Sequence, residues 1–520
     1  MPETHKQDAV FDFLASLQNQ NDVHASPARI DTHANVVFLI GTKAYKVKRA
    51  VRFPFLDYST LEKRAEACRR EITHNIKNAP QIYREALPIT QGASGALSID
   101  GAGETIEWVV VMNRFDGSFQ LDQIAEKAPL SGELCDALAT MLVDAHEAAA
   151  RKPDASEGFY AELADYVGQN EIAFGEHPDL FPPQAAEHLG RQSRLWLARI
   201  KQLILSRGAH GHIRLCHGDA HLRNIVLIDG KPVLFDAIEF SDAMATTDTL
   251  YDLAFLLMDL WERGQRSAAN RIFNRYFDKL PNGPEGSPID EEALAALPFY
   301  LMMRAAIRAK IAAASALTQT EASLRSDQEK QARTYFEQAL AFLDPAEPEL
   351  LAIGGFSGTG KTTLAYCLAP DLGRAPGARL FRTDVERKKR LGLAETEKAP
   401  EEAYTKEASQ AVYTVLDEKI QATLATGHSA IFDAVFAAEP DRKHIETVAS
   451  HVEARFCGLW LTAPDEVLKA RVRARGADAS DATATVVDLQ QTYDLGSMAW
   501  TSIDASQGIE ETCKEAQKTL

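Results

Sequence analysis

Apolar residues along this chain change their spacing twice. Up to about residue 115 they come in short runs of strand character, Val36–Ile40, Ala44–Val47 and Trp108–Met112, around one helical stretch from Leu61 to Ile76. From Leu121 to Leu343 the spacing is mostly helical, apart from two strand-like runs, Ile225–Ile228 and Val233–Phe235, joined by Asp229-Gly230-Lys231-Pro232. Beyond Leu350 four apolar runs, Leu350–Gly354, Leu380–Thr383, Ala430–Phe432 and Phe456–Leu461, alternate with helical segments, the pattern of a parallel α/β sheet. Between the last two regimes, Pro345 and Pro348 stop helical continuation. The pattern therefore predicts two domains, 1–344 and 345–520, the first with a small β-rich lobe to about 115 and a helical lobe from about 116 to 344.

Composition changes this picture little. A chain of 520 residues has room for two to four structural units, and 45% hydrophobic with 25% charged residues is ordinary for a folded protein. The 74 acidic and 56 basic side chains leave a formal charge of -18, which disfavours broad adhesion to nucleic acid or anionic membrane. The six cysteines are scattered without a C-x-x-C pair, which predicts reduced thiols and a cytoplasmic location. The first residues lack a basic segment followed by an apolar run, and no apolar stretch is long enough to span a bilayer.

Two clusters carry chemistry. In His217-Gly218-Asp219-Ala220-His221-Leu222-Arg223-Asn224, Asp219 is spaced to take a proton from an acceptor hydroxyl, and Asn224 to hold magnesium. Asp236, just past the strand pair, is the expected second metal ligand and supplies a carboxylate. Lys46 is the expected ATP phosphate ligand with Glu71 as its ion-pair partner; Lys48 shares its strand face and is its rival. The backbone of Met112 to Arg114 is the expected adenine hinge, and the covering loop near Asp31–Asn35 has no glycine.

The second cluster is Gly355-Phe356-Ser357-Gly358-Thr359-Gly360-Lys361-Thr362, between a strand and a helix that begins around Thr363. Backbone N–H groups from Ser357 to Lys361 converge on phosphates, Lys361 bridges them, and Thr362 offers a magnesium hydroxyl; ATP or GTP is the expected nucleotide. Asp384 at the next strand end is the expected general base, with Asp433 as a metal-water or substrate carboxylate. Arg471 and Arg475, before Gly476-Ala477-Asp478, read as lid arginines that stabilise transferred charge. Lys388, Lys389 and Arg390 read either as a solvated helix face or as a basic contact surface.

The motif His217–Asn224 resembles that of the aminoglycoside phosphotransferase and choline kinase superfamily, which implies ATP-dependent phosphorylation of a small-molecule hydroxyl and gives Glu239, Asp248 and Asp252 framework positions. The second half resembles small P-loop kinases related to polynucleotide kinase, zeta toxin and chloramphenicol phosphotransferase, in which Arg387 corresponds to a substrate contact. The domain order resembles a bacterial family described as bifunctional aminoglycoside phosphotransferase/ATP-binding protein. The expected fold is then an α+β bilobal protein-kinase-like domain followed by an α/β P-loop NTPase domain with a parallel sheet. The expected function is ATP- and Mg2+-dependent phosphoryl transfer to small hydroxyl compounds by each domain, without membrane or nucleic-acid partners. Two alternatives stand beside it: a nucleotide-sensing regulator in which the P-loop half gates the kinase-like half, and a C-terminal kinase for the 5′-hydroxyl of RNA or nucleotides.

Overall fold

The computed structural model describes residues 3–17, 28–53, 56–281, 289–474 and 479–520. The early strand-like runs form a six-stranded antiparallel sheet from β1 (Ala28–Asp31), β2 (Asn35–Ile40), β3 (Lys43–Lys48), β6 (Tyr83–Gln91), β7 (Leu97–Ile99) and β8 (Glu104–Asn113), in the order β1-β2-β3-β8-β6-β7. A small pair, β4 (Arg52–Phe53) and β5 (Leu56–Asp57), stands apart from it. The two-residue period of β8 divides its side chains between two cores. Val109 and Val111 pack with Val36, Phe38 and Val10, the last on the N-terminal helix, whereas Val110 and Met112 pack with Ala44, Tyr83 and Cys68 of the helix Leu61–Asn75. Thr60 caps that helix by accepting the Lys63 N–H.

Further on, β9 (Ile213–Leu215) pairs with β12 (Thr246–Asp248), and β10 (Ile225–Ile228) pairs with β11 (Lys231–Leu234). The β10–β11 turn is two residues long, not four. Asp229 and Gly230 both take positive φ, 51° and 75°, which closes a tight hairpin and admits Lys231 and Pro232 to the strand.

The C-terminal segment forms a five-stranded parallel sheet from β13 (Glu349–Gly355), β14 (Arg379–Arg382), β15 (Ala430–Asp433), β16 (Arg455–Thr462) and β17 (Thr501–Asp504), in the order β14-β15-β13-β16-β17. Its two faces carry separate cores, one around Leu350, Phe432 and Trp460, the other around Leu351, Ile431 and Leu459. Strand β17 escapes sequence reading because Ile503 is its one buried residue. The fold is thus a kinase-like domain with an N-terminal sheet, followed by a P-loop NTPase sheet.

The chain divides into two compact units: Met1–Pro129 with Asp144–Leu163 and Ile204–Leu256, and Leu130–Val143 with Ala164–Leu203 and Leu257–Leu520. Within the second unit the helix Arg266–Lys279 covers the free edge of β14. Asn270 Nδ2 donates to the carbonyls of Pro376 and Ala378, both at 3.0 Å, and Asn274 Oδ1 accepts the Leu380 N–H at 2.6 Å. An open edge strand is thereby satisfied by side chains instead of a sixth strand.

Two expectations are corrected here. Cys367 and Cys513, 146 residues apart, form a disulfide, because their helices bring the Cα atoms to 6.5 Å; the other four cysteines are free. Lys388 is not on a solvated face: it is 1% exposed, and its ammonium donates to Asp481 and to the Glu395 carbonyl, both at 2.9 Å. Among the described residues no helix is long and apolar enough to cross a membrane.

Asn274 is fully buried, so Asn274→Ala leaves the Leu380 N–H without its acceptor. The expected loss is about 1–3 kcal/mol of stability, read by urea unfolding of the full chain.

Candidate active sites

The first site grows from β3. Lys46 and Lys48 are two residues apart, so both side chains leave the same face, and both meet Glu71 of the helix Leu61–Asn75. Lys46 Nζ lies 2.8 Å from Glu71 Oε1 and 2.6 Å from Asp236 Oδ1. Lys48 approaches Glu71 Oε2 at 2.5 Å, as an ion-pair contact outside hydrogen-bonding alignment, and pairs with Glu239, which also accepts the Tyr58 hydroxyl at 2.7 Å. Burial opposes charge on both lysines, but Asp236 and Glu71 around Lys46, and Glu239 and Glu71 around Lys48, outweigh it and hold both above the ordinary lysine range. Burial also favours a neutral Glu239; Lys48 and Lys46 overcome it and keep Glu239 ionised. The rivalry between the lysines resolves spatially: Lys46 faces Asp236, and Lys48 faces Glu239 and Tyr58.

The catalytic-loop residues converge on the same region. Asn224 Nδ2 donates at 3.0 Å both to the Asp219 carboxylate and to its carbonyl, while the Phe235 N–H bonds the Asn224 carbonyl at 2.9 Å. These bonds place Asp219, Asn224 and the start of the Asp236 segment around one point. The Asp219 side chain is 39% exposed and that of Asp236 41% exposed, so both carboxylates open to solvent. Asp236 has φ 63°, an uncommon backbone for a residue with a Cβ, and its N–H is anchored at 3.1 Å by the Tyr83 hydroxyl. His217 is buried and bonded to the Phe235 carbonyl at 2.9 Å; burial holds its pKa below the usual histidine value.

The framework carboxylates have separate tasks. Asp248 forms paired hydrogen bonds with Arg207, each at 2.7 Å. Asp252 accepts the Gly218 N–H at 2.9 Å and meets His146 Nε2 at 3.2 Å, which fixes the catalytic loop from beneath. Gly218 has φ 82°, and a Cβ there would stand 2.9 Å from Ile238, so this position needs glycine. At the expected hinge, the Asn113 and Arg114 N–H groups are engaged by the carbonyls of Ile82 and Thr42. The glycine-free loop after β1 is closed by Thr32 and Asn35 hydrogen-bonding to each other.

The second site sits where β13 ends. Gly355, Gly358 and Gly360 have φ 141°, 86° and 90°, and a Cβ on Gly358 would meet the Leu468 carbonyl at 2.6 Å. Gly360 then starts the helix Lys361–Leu368, at whose N-terminus the loop's N–H groups gather. Lys361 Nζ rests on the carbonyls of Gly355 and Phe356 at 2.8 and 3.2 Å. Thr359 is buried, with its hydroxyl on the Phe356 carbonyl at 2.8 Å; Thr363 is exposed. Thr362 Oγ1 donates to Asp433 Oδ2 at 2.5 Å, so a hydroxyl in the first turn of the helix and a carboxylate at the end of β15 stand together.

Asp384 accepts from Arg387 at 2.7 Å, and the Arg387 guanidinium lies 4.6 Å from the Tyr404 ring centre. Arg471 turns away from the loop and donates to the carbonyls of Ala505 and Gln507, at 2.8 and 3.0 Å. Arg475 and the rest of the expected lid, Gly476-Ala477-Asp478, lie outside the described residues. Sequence reading missed Gln490, whose side-chain oxygen accepts the Ser357 N–H of the glycine-rich loop at 2.7 Å. It also missed Glu395, which pairs with Arg275 and lies 3.4 Å from Arg382, itself 3.9 Å from Asp433. Neither residue has a motif to announce it; both come from distant loops or helices.

A bilobal phosphotransferase centre and a P-loop centre are therefore present in one chain. The chain belongs to the phosphotransferase enzyme family, whose model matches residues 26–289, and a model described as AAA domain matches residues 350–493. An uncharacterized protein of Mycobacterium tuberculosis is 29% identical over 472 residues, 88% of each chain. A choline/ethanolamine kinase family protein from Mesorhizobium loti matches 65% of this chain and 99% of its own at 14% identity, with a TM-score of 0.35. A gluconokinase from Sinorhizobium meliloti matches 33% of this chain and 91% of its own at 18% identity, with a TM-score of 0.25.

Lys48→Met leaves Glu71 and Glu239 short of a buried counter-charge, and the expected cost is about 3–5 kcal/mol in chemical unfolding. At the P-loop, Gln490→Ala removes a hydrogen bond that nucleotide must displace. Calorimetric titration should show nucleoside triphosphate binding about fivefold tighter, the worth of one bond of about 1 kcal/mol.

Proposed function

We propose that this protein is a two-centre ATP-dependent phosphotransferase, each centre passing the γ-phosphate of ATP to a hydroxyl group of a small molecule. The observation that carries the reading is the convergence of Lys46, Asp219, Asn224 and Asp236 on one partly open point. In this reading Asp219 accepts the proton of the acceptor hydroxyl as its oxygen bonds to phosphorus and the bond to the ADP oxygen breaks. Lys46, oriented by Glu71, steadies the nucleotide phosphates. Asn224 and Asp236 would hold Mg2+ here, and Thr362 with Asp433 in the second centre. These are hard oxygen donors, and the 2.5 Å contact between Thr362 and Asp433 already gathers a hydroxyl and a carboxylate as such an ion requires. Bound there, the ion would neutralise charge on the phosphates.

In the second centre, the loop from Gly355 to Thr363 with Ser357, Gly358, Thr359, Gly360 and Lys361 binds the nucleotide, Asp384 serves as base, and Arg387 meets the acceptor. Arg475 is retained as a charge-stabilising lid residue; Arg471, held by two carbonyls, positions the helix that leads to it. The functional division at 344/345 is supported by the spans of the two family models. A cytoplasmic location fits the use of ATP, and the disulfide makes the redox state of Cys367 and Cys513 worth measuring in the cell.

Metabolite extract incubated with γ-labelled ATP should yield labelled products. Asp219→Asn and Lys361→Ala should each remove a different one, by about a hundredfold or more, as resolved by mass spectrometry. Loss of the same product in both variants would refute independent centres. ATP turnover without any labelled product, abolished by Lys361→Ala, would instead favour the nucleotide-sensing regulator.

A further inference from the structure

A cavity of about 660 Å³ is at neither phosphate site. Pro348, Glu453 and Gly427 line it, and they lie one, two and three residues before β13, β16 and β15. The cavity is therefore under the N-terminal ends of the parallel strands, whereas the P-loop follows the C-terminal end of β13. Seven residues of strand separate the two levels, about 23 Å at 3.3 Å per residue. Ligands that react on such sheets meet the C-terminal ends, so this cavity is not an extension of the second centre.

Two arginines and a tryptophan form one part of its lining. Trp196 and Arg199 come from the helix Pro183–Ala209, and Arg374 from the loop before β14. Both guanidinium carbons lie close to the Trp196 ring centre, at 5.5 Å for Arg199 and 5.9 Å for Arg374. Among the described residues neither arginine pairs with a carboxylate, and the buried Nε of Arg374 has no hydrogen-bond partner. Burial, and then the like charge of Arg199, lower the pKa of Arg374. Two neighbouring cations left without an anion are a recurrent cost that a bound oxyanion relieves. Asp344 and Glu453 stand exposed on the rim, where they repel a second anionic group. Leu189, Leu340 and Leu343 supply an apolar wall.

We propose that this cavity binds a small phosphomonoester, its phosphate between Arg199 and Arg374 and its uncharged body along the leucine wall. Two forked guanidiniums offer enough N–H groups for three phosphate oxygens, more than a carboxylate uses. The volume is that of a small-ligand pocket. The site is independent of the catalytic reading, since neither Lys46 nor Lys361 lines it.

The test is calorimetric titration of the full chain with AMP, ribose 5-phosphate and inorganic phosphate. At least one organic phosphate should bind; Arg199→Glu and Arg374→Gln should each weaken it at least tenfold, while Lys46→Met and Lys361→Ala leave it unchanged. Arg199 is exposed, so Arg199→Glu should keep the wild-type unfolding midpoint and carries the test even if Arg374→Gln does not fold. Wild-type affinity in Arg199→Glu, loss of binding in Lys361→Ala or Lys46→Met, or no binding of any of the three probes would overturn the proposal. Inorganic phosphate binding as tightly as the organic esters would overturn the role of the leucine wall.

Discussion

A carboxylate buried at 0% exposure and shared by two lysines sets the geometry of the first site. Glu71 cannot be buried alone, because removing a charge from water costs several kcal/mol, so the fold must deliver cations to it. Two residues at spacing two on β3 are the most economical supply, since the pleat aims both side chains at one face. Each lysine then has capacity left for a second acid, and these are Asp236 and Glu239. Three carboxylates against two lysines leave the cluster with one surplus negative charge. The place where that surplus reaches solvent is Asp236, where a cation is best accommodated.

The P-loop centre solves the opposite problem with different means. It must receive anions, and it does so chiefly with backbone N–H groups exposed by three positive-φ glycines at the start of a helix. Hydrogen bonds within the protein engage the same loop. Gln490 takes the Ser357 N–H, and Lys361 folds back on the carbonyls of Gly355 and Phe356. The two centres thus satisfy their polar groups in contrasting ways: the first with buried ion pairs, the second with hydrogen bonds to uncharged acceptors that an anion can replace.

What was legible in the sequence was local. The spacing from His217 to Asn224 and the strand-loop-helix setting of Gly355–Thr362 reveal chemistry because a short backbone segment builds most of each device. Strand identity was legible where apolar runs were long, as in β8 and β16, and illegible in β17, with a single buried side chain. Side chains that act across long sequence separations left no signal. Gln490 meets Ser357 over 133 residues, and Cys367 meets Cys513 over 146. A solvated face was one of two readings of Lys388, because consecutive basic residues are usually solvated; only the fold supplies Asp481 to pair with it.

The same long-range logic explains why β14 tolerates an edge position beside a candidate base. Its backbone is satisfied by Asn270 and Asn274, and its last residue, Arg382, stands between Glu395 and Asp433. Glu395 is held in turn by Arg275, from the helix that supplies those asparagines. Ion pairs and one hydrogen bond therefore run without a break from Arg275 through Glu395, Arg382 and Asp433 to Thr362. Because Arg382 is nearer to Glu395, at 3.4 Å, than to Asp433, at 3.9 Å, Glu395 draws part of its charge away from the carboxylate that faces Thr362. A full pair between Arg382 and Asp433 would neutralise that carboxylate. The divided arginine leaves part of the Asp433 charge uncompensated, beside a P-loop hydroxyl placed to share a further cation with it.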